Sequence, residues 1–205
     1  MSGIDRLLAG YRRFRATGWP ERRVVFEMLA AEGQHPRTLV VACVDSRVDP
    51  AMIFDAGPGE LLIVRNVANL VPPYAPDAAY HGTSAALEFG VRVLRVPNLV
   101  VLGHGQCGGV QALLGGAPEL ARDFVAPWIA MAEPARQRAL ACDTAEARQR
   151  CCEHEVVKLS LANLLTFPWI AERVAAGDLA LHGAWFAIHS GELALLGPDG
   201  AFAPA

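Results

Sequence analysis

Apolar positions recur at helical spacing from about Ile4 to Ala31 and are interrupted at Trp19-Pro20, which predicts two helices forming an N-terminal arm over 1–32. The pattern then changes period. Gly33-Gln34-His35-Pro36 punctuates the chain, and Thr38-Leu39-Val40-Val41-Ala42 is a continuous apolar run of the kind buried in a parallel sheet. Glu60 to Arg65 and Asn98 to Leu102 are runs of the same kind. Asp49-Pro50 predicts a short helix through Phe54, with Asp capping orphan amides and Pro at the first helical position. Thr83 predicts the cap of a helix running to about Arg95. Beyond Gly115-Gly116 the chain is alanine-rich and helical through Arg150, and again from Glu155 to Thr166. From Leu179 onward it predicts two strands turned at Ser190-Gly191. Strands alternating with helices predict an α/β fold: a mostly parallel central β-sheet flanked by helices, in one domain over 1–205.

Composition adds limits to this picture. At 205 residues, 53% hydrophobic and 19% charged, the chain can bury a sizeable core. A net charge of −3, an isoelectric point near 6.1 and the lack of any Lys/Arg block argue against a nucleic-acid partner. No stretch is apolar enough to span a bilayer, and the opening residues lack a secretory apolar region, so no membrane partner and a cytoplasmic location are expected. Five cysteines, an odd number without a signal segment, argue against a disulfide framework, and Cys142, Cys151 and Cys152 read as packing residues.

The chemistry concentrates at two strand ends. Ala42-Cys43-Val44-Asp45-Ser46-Arg47 follows the first apolar run, and Gly103-His104-Gly105-Gln106-Cys107-Gly108-Gly109 follows the third. Two thiolates and an imidazole make three protein ligands, and a catalytic zinc leaves its fourth tetrahedral position to water or substrate. Cys43, His104 and Cys107 therefore read as ligands of one Zn2+ per chain. Asp45 and Arg47 lie two residues apart, so a turn can pair them near the metal, keeping the carboxylate ionised and oriented toward zinc-bound water. Gly108 and Gly109 open a helix whose amides favour developing negative charge. Two thiolates cancel the ion's formal charge, which predicts activity rising toward alkaline pH.

The motifs C-x-D-S-R and H-x-x-C-G-G resemble those of the β-class carbonic anhydrases. The resemblance continues through Pro58-Gly59-Glu60, Arg65-Asn66-Val67-Ala68-Asn69, Val71-Pro72-Pro73-Tyr74, Gly82 to Glu88 and Leu161 to Pro168, and is closest to the plant-type branch. It implies reversible hydration of carbon dioxide to bicarbonate and a proton by zinc-bound hydroxide. By matching position it implies Cys43, His104 and Cys107 as ligands, Asp45 and Arg47 as the catalytic dyad, and Gln34 and the Gly108 amide as substrate-side donors. Leu62 and Phe89 would form the apolar substrate pocket. Val40, Arg65 and Phe186 stand where one branch holds regulatory bicarbonate with Trp, Arg and Tyr, so that pocket is not expected here. A homodimer or an assembly of dimers is implied, with the N-terminal arm in the contact. Two other functions share these residues: hydrolysis of carbonyl sulfide or carbon disulfide, and non-catalytic zinc or bicarbonate binding.

Overall fold

The computed structural model describes residues 2–77 and 79–205, and the chain divides into two compact units, Met1–His35 and Pro36–Ala205. In the first unit, α1 (Gly3–Arg13) starts at a capping box in which Ser2 and Asp5 satisfy each other's backbone amides. A π-helical turn over Phe14–Gly18 leads into α2 (Trp19–Glu32). The interruption anticipated at Trp19-Pro20 is thus a widened turn rather than a break. Proline has no N–H to donate, and the i→i+5 bond from the Trp19 amide to the Phe14 carbonyl carries the helix past it. Trp19 stacks on Phe26 at 5.1 Å between ring centroids. Neither helix buries a residue, and Ile4, Leu7, Leu8 and Tyr11 form an exposed apolar stripe.

The second unit is built on a six-stranded sheet: β1 (Thr38–Cys43), β2 (Leu61–Asn66), β3 (Asn98–His104), β4 (Ala180–Phe186), β5 (Leu193–Leu196) and β6 (Phe202–Pro204). The order is β2-β1-β3-β4-β5-β6, parallel through β4 and antiparallel thereafter. The sheet is mostly parallel, as the apolar runs required, with β6 a strand the sequence pattern did not reveal. Between the strands lie α3 (Pro50–Ile53), α4 (Gly82–Glu88), α5 (Gly108–Gly115), α6 (Val125–Ala130), α7 (Glu133–Ala139), α8 (Ala145–Leu164) and α9 (Pro168–Ala175). Among the described residues no helix is long and apolar enough to cross a membrane.

Leu39 and Val41 enter one core with Leu87, Leu99, Val157 and Phe167, while Val40 and Ala42 pack with Leu102 and Ala184. Strand β1 is therefore buried on both faces, which explains its unbroken apolar sequence. Glycine permits two close approaches: a Cβ on Gly90 would lie 2.3 Å from Leu39 Cδ1, and one on Gly103 would lie 2.6 Å from Val157 Cγ2.

Two expectations are corrected. Thr83 does not cap α4. His81 occupies that position, and the Thr83 hydroxyl instead accepts a hydrogen bond from Asn66 Nδ2 at 3.2 Å, while the helix widens into a π turn after Glu88. Cys142 and Cys151 are not packing residues: they form a disulfide joining the α7–α8 connection to the second turn of α8. Sequence spacing cannot anticipate such a pairing, because it depends on how the connection folds back on the helix. Cys152, by contrast, is buried and free.

Candidate metal centre

The sheet order reverses direction at β1: β2 lies to one side, β3 to the other. Loops leaving the carboxyl ends of such neighbouring strands diverge and open a crevice, the usual ligand position in open α/β sheets. Cys43 is the last residue of β1 and His104 the last of β3, while Cys107 is the N-cap of α5 three residues further on. Gln106, in the left-handed region at φ 56°, turns the chain sharply between strand and helix.

The Cys43 and Cys107 sulfurs are 3.9 Å apart, and one ligand atom from each of Cys43, His104 and Cys107 lies within 4.8 Å of the others. Two sulfurs on one tetrahedral zinc at about 2.3 Å would stand about 3.8 Å apart. The imidazole is oriented for the same task. His104 Nδ1 donates to the Gly105 carbonyl at 2.9 Å, leaving Nε2 without a partner on a residue only 1% exposed. An orphaned buried nitrogen is costly, and a cation satisfies it. The donor set fits zinc.

The two thiols are unequal. The Cys107 S–H hydrogen bond, with help from His104 and the backbone amides of Asp45 and Ala68, holds Cys43 well below the ordinary thiol range. Sharing that proton with Cys43, together with burial, pushes Cys107 up. A divalent metal bound between the two sulfurs would favour ionisation of both.

Asp45 and Arg47 form a bidentate pair: Arg47 Nε donates to Oδ1 at 2.9 Å and Nη2 to Oδ2 at 2.7 Å, and the Arg47 amide adds a third bond at 3.0 Å. These bonds hold the Asp45 carboxyl well below the usual carboxylate range. Arg47 also donates to the Gln106 carbonyl at 3.1 Å, tying the loop after β1 to the loop after β3. Asp45 Oδ2 stands 4.0 Å from His104 Nε2, beside the ligand group.

Arg65, which the sequence offered only at a position of the regulatory pocket, braces this loop from β2. It donates to the Cys43 carbonyl at 2.8 Å, the Asp45 carbonyl at 2.6 Å and Asp49 Oδ2 at 3.1 Å. Next to it, Asn66 clamps the left-handed turn at Ala68-Asn69 by exchanging two hydrogen bonds with Leu70. That turn abuts α5: a Cβ on Gly109 would come within 2.8 Å of Val67 Cγ1 and 3.0 Å of Ala68 Cβ, whereas one on Gly108 would meet open space.

Two residues that sequence reasoning passed over lie against Cys107. Glu153 accepts a hydrogen bond from the Cys107 amide at 3.1 Å, and Gln149 donates to the Cys107 carbonyl at 3.2 Å. The one available signal was a charged residue one helical turn before the apolar Val156-Val157 and four residues after a glutamine on α8.

Within Pro36–Ala205, Leu62 and Phe89 are not gathered around this group. Leu62 pairs with Leu39, four residues back from Cys43, or about 13 Å along the strand. Phe89 begins the π turn after α4, beside Gly90, which packs against Leu39 and Leu62. Gln34 is exposed in the first compact unit. A cavity of about 700 Å³ opens next to the ligand strand instead, with Val44, Val67, Tyr80, His81, Phe124 and Trp128 in its wall.

Comparison with known proteins agrees with the motif resemblance. A family model described as carbonic anhydrase matches residues 38–193. Beta carbonic anhydrase 3 of Arabidopsis thaliana is 37% identical over 193 residues, covering 91% of this chain and 74% of the relative. Beta carbonic anhydrase 5, chloroplastic, of the same plant is 41% identical over 160 residues, which are 76% of this chain and 52% of the relative. Among solved structures, the β-carbonic anhydrase CcaA superposes with a TM-score of 0.93 at 33% identity over the whole of both chains. A β-carbonic anhydrase of Sordaria macrospora, described as tetrameric, superposes at 0.83 with 26% identity over 95% of this chain and 96% of its own.

Proposed function

Because the chain belongs to the β-carbonic anhydrase family, we propose that it catalyses the reversible hydration of carbon dioxide to bicarbonate and a proton at a zinc held by Cys43, His104 and Cys107. The observation that carries this reading is the orphaned His104 Nε2 facing two sulfurs 3.9 Å apart, with the Asp45–Arg47 pair alongside. Zinc bound there supplies Lewis acidity, lowering the pKa of a water so that hydroxide is available to the carbon of CO2 at moderate pH.

The chain's own residues do the rest. Arg47 keeps Asp45 ionised and fixed, so that the carboxylate accepts a hydrogen bond from the attacking water and sets the direction of its free lone pair. The pair also connects the two loops carrying the ligands, through Arg47 and the Gln106 carbonyl, which limits drift of the carboxylate from the ligand group. Gly108, first residue of α5, has an amide that helix geometry leaves without an intrahelical acceptor, a donor suited to an oxygen of the product. Gln34, Leu62 and Phe89 are proposed as substrate-side residues on the strength of the motif match. A second copy of the chain is proposed as partner, supported by the unburied apolar stripe of the arm, and light scattering on eluted protein returning only monomer at micromolar concentration would refute it. The cytoplasmic location is likewise a proposal, tested by cell fractionation.

Stopped-flow hydration of CO2 at about pH 7 and about pH 8.5, on protein with zinc quantified, tests the reading. Fast hydration, greater at the higher pH and collapsing in Asp45→Ala, is expected. A fully zinc-loaded enzyme without hydration activity would overturn it and direct attention to carbonyl sulfide.

A further inference from the structure

Helix α8 carries Gln149 and Glu153 one turn apart, beneath Cys107. Glu153 is only 2% exposed, and its two carboxylate oxygens meet three neutral donors. Oε1 accepts from the Cys107 amide at 3.1 Å and from Gln149 Nε2 at 2.7 Å, and Oε2 accepts from Trp185 Nε1 at 3.2 Å. Gln149 Nε2 also reaches the Cys107 carbonyl at 3.2 Å. One helix therefore holds Cys107 through both its N–H and its C=O.

Burying a carboxylate is expensive, and packing of α8 does not call for one, since the neighbouring Cys152 and Val156 enter one apolar core and Val157 another. Nor would an amide serve equally: a glutamine at 153 could keep an oxygen toward Cys107 but would turn its NH2 against the Trp185 N–H. What Glu153 secures is the backbone from which the Cys107 sulfur projects. Cys107 is the N-cap of α5 without a side-chain capping bond, so its amide is one of the donors a helix start leaves free, and the chain could otherwise pivot there.

We propose that Glu153, buttressed by Gln149, is a positioning residue of the metal centre, fixing Cys107 so that its sulfur stands ready for the ion before the ion binds. The inference rests on the reading that Cys43, His104 and Cys107 hold zinc. Groups one step removed from a metal commonly change its affinity by about 10- to 100-fold when altered, because they pre-set ligand orientation.

The test compares the full-length wild type with Glu153→Gln, Gln149→Ala, the double variant Glu153→Gln/Trp185→Phe, and Leu164→Ala. Leu164 is fully buried on α8, eleven residues beyond Glu153 and about 16 Å along the helix, so its variant loosens the helix without touching Cys107. Zinc dissociation constants come from competition with a chromophoric chelator. Cobalt-substituted protein reports the site through its thiolate charge-transfer and d–d bands, and thermal midpoints are recorded alongside. Glu153→Gln is expected to weaken zinc by about 10- to 100-fold and to shift the cobalt bands; Gln149→Ala shifts both in the same direction by less, and Trp185→Phe restores much of the Glu153→Gln loss by removing the opposing donor. Leu164→Ala lowers the midpoint and leaves affinity and spectrum alone. Should Glu153→Gln fail to fold, partly exposed Gln149 decides the matter alone. The proposal is overturned if the Glu153 and Gln149 variants bind zinc within about twofold of wild type with unchanged cobalt spectra, or if Leu164→Ala weakens zinc as much as they do. A wild type that binds no zinc would instead bring down the metal reading itself.

Discussion

Replacing Arg65 by Met keeps the aliphatic stem of the side chain and removes every donor that holds the loop after β1. The bonds to the Cys43 carbonyl at 2.8 Å and the Asp45 carbonyl at 2.6 Å join a charged donor to loop oxygens and count for about 1.5–3 kcal/mol each. The ion pair with Asp49, whose side chain is 47% exposed, adds about 0–1 kcal/mol. The 3.4 Å approach to the Val48 carbonyl is too long to count. Water can re-solvate part of what is lost, because the Arg65 side chain is itself 27% exposed, so the net cost should be about 2–4 kcal/mol. That is a large share of a typical domain stability of about 5–15 kcal/mol. Urea unfolding of the metal-free protein at one fixed concentration measures it, and chelator competition measures the accompanying fall in zinc affinity, since this loop carries both Cys43 and Asp45. Arg65→Lys, with a single ammonium in place of a fork, should recover no more than about half. A loss below about 1 kcal/mol in Arg65→Met, with zinc affinity intact, would refute the assignment of Arg65 as the brace of the ligand loop.

Three further outcomes follow from particular contacts. The Asp45 carboxyl is lowered in the folded protein by Arg47, so its contribution to stability is complete above the unfolded value of about 3.9 and is lost as pH falls toward the lower folded value. The gap in urea midpoint between wild type and Asp45→Asn should therefore be constant from about pH 5 to 7 and close only below about pH 4. Gly108→Ala, with open space around the new methyl, should hold or raise stability by up to about 1 kcal/mol through helix propensity, whereas Gly109→Ala should cost about 1–3 kcal/mol because Ala68 cannot retreat; calorimetry of the two distinguishes them. Reducing the Cys142–Cys151 bond, nine residues apart in sequence, should lower stability by about 2–3 kcal/mol through the freed unfolded chain, with denatured-state thiol titration rising from three to five per chain.

Much of this molecule is legible one segment at a time. Strands β1, β2 and β3 announce themselves as apolar runs bounded by turn residues, because a strand buried on both faces must be apolar throughout. The pairing of Asp45 with Arg47 is equally local, since two residues of one turn need no distant help to meet. Even the joining of Cys43 to His104 and Cys107 follows once both motifs are seen to end strands, because neighbouring parallel strands bring their carboxyl ends to one edge. The sequence alone thus determined the elements, their period and the donor set for a metal. Packing decided the rest. Arg65 reads as one more strand residue until β2 is seen beside β1, where its fork meets the Cys43 and Asp45 carbonyls. Gly108 and Gly109 are equivalent as letters and are separated only by the turn at Ala68 that α5 approaches. Cys142 finds Cys151 only because the α7–α8 connection folds back on α8. Glu153, 46 residues from Cys107, touches it because the rotation of α8 against β3 and β4 turns that one side chain inward. Periodicity tells which positions of a helix are apolar, but the angle at which the helix settles is set by every side chain it meets, and that angle chose the residue behind the cysteine.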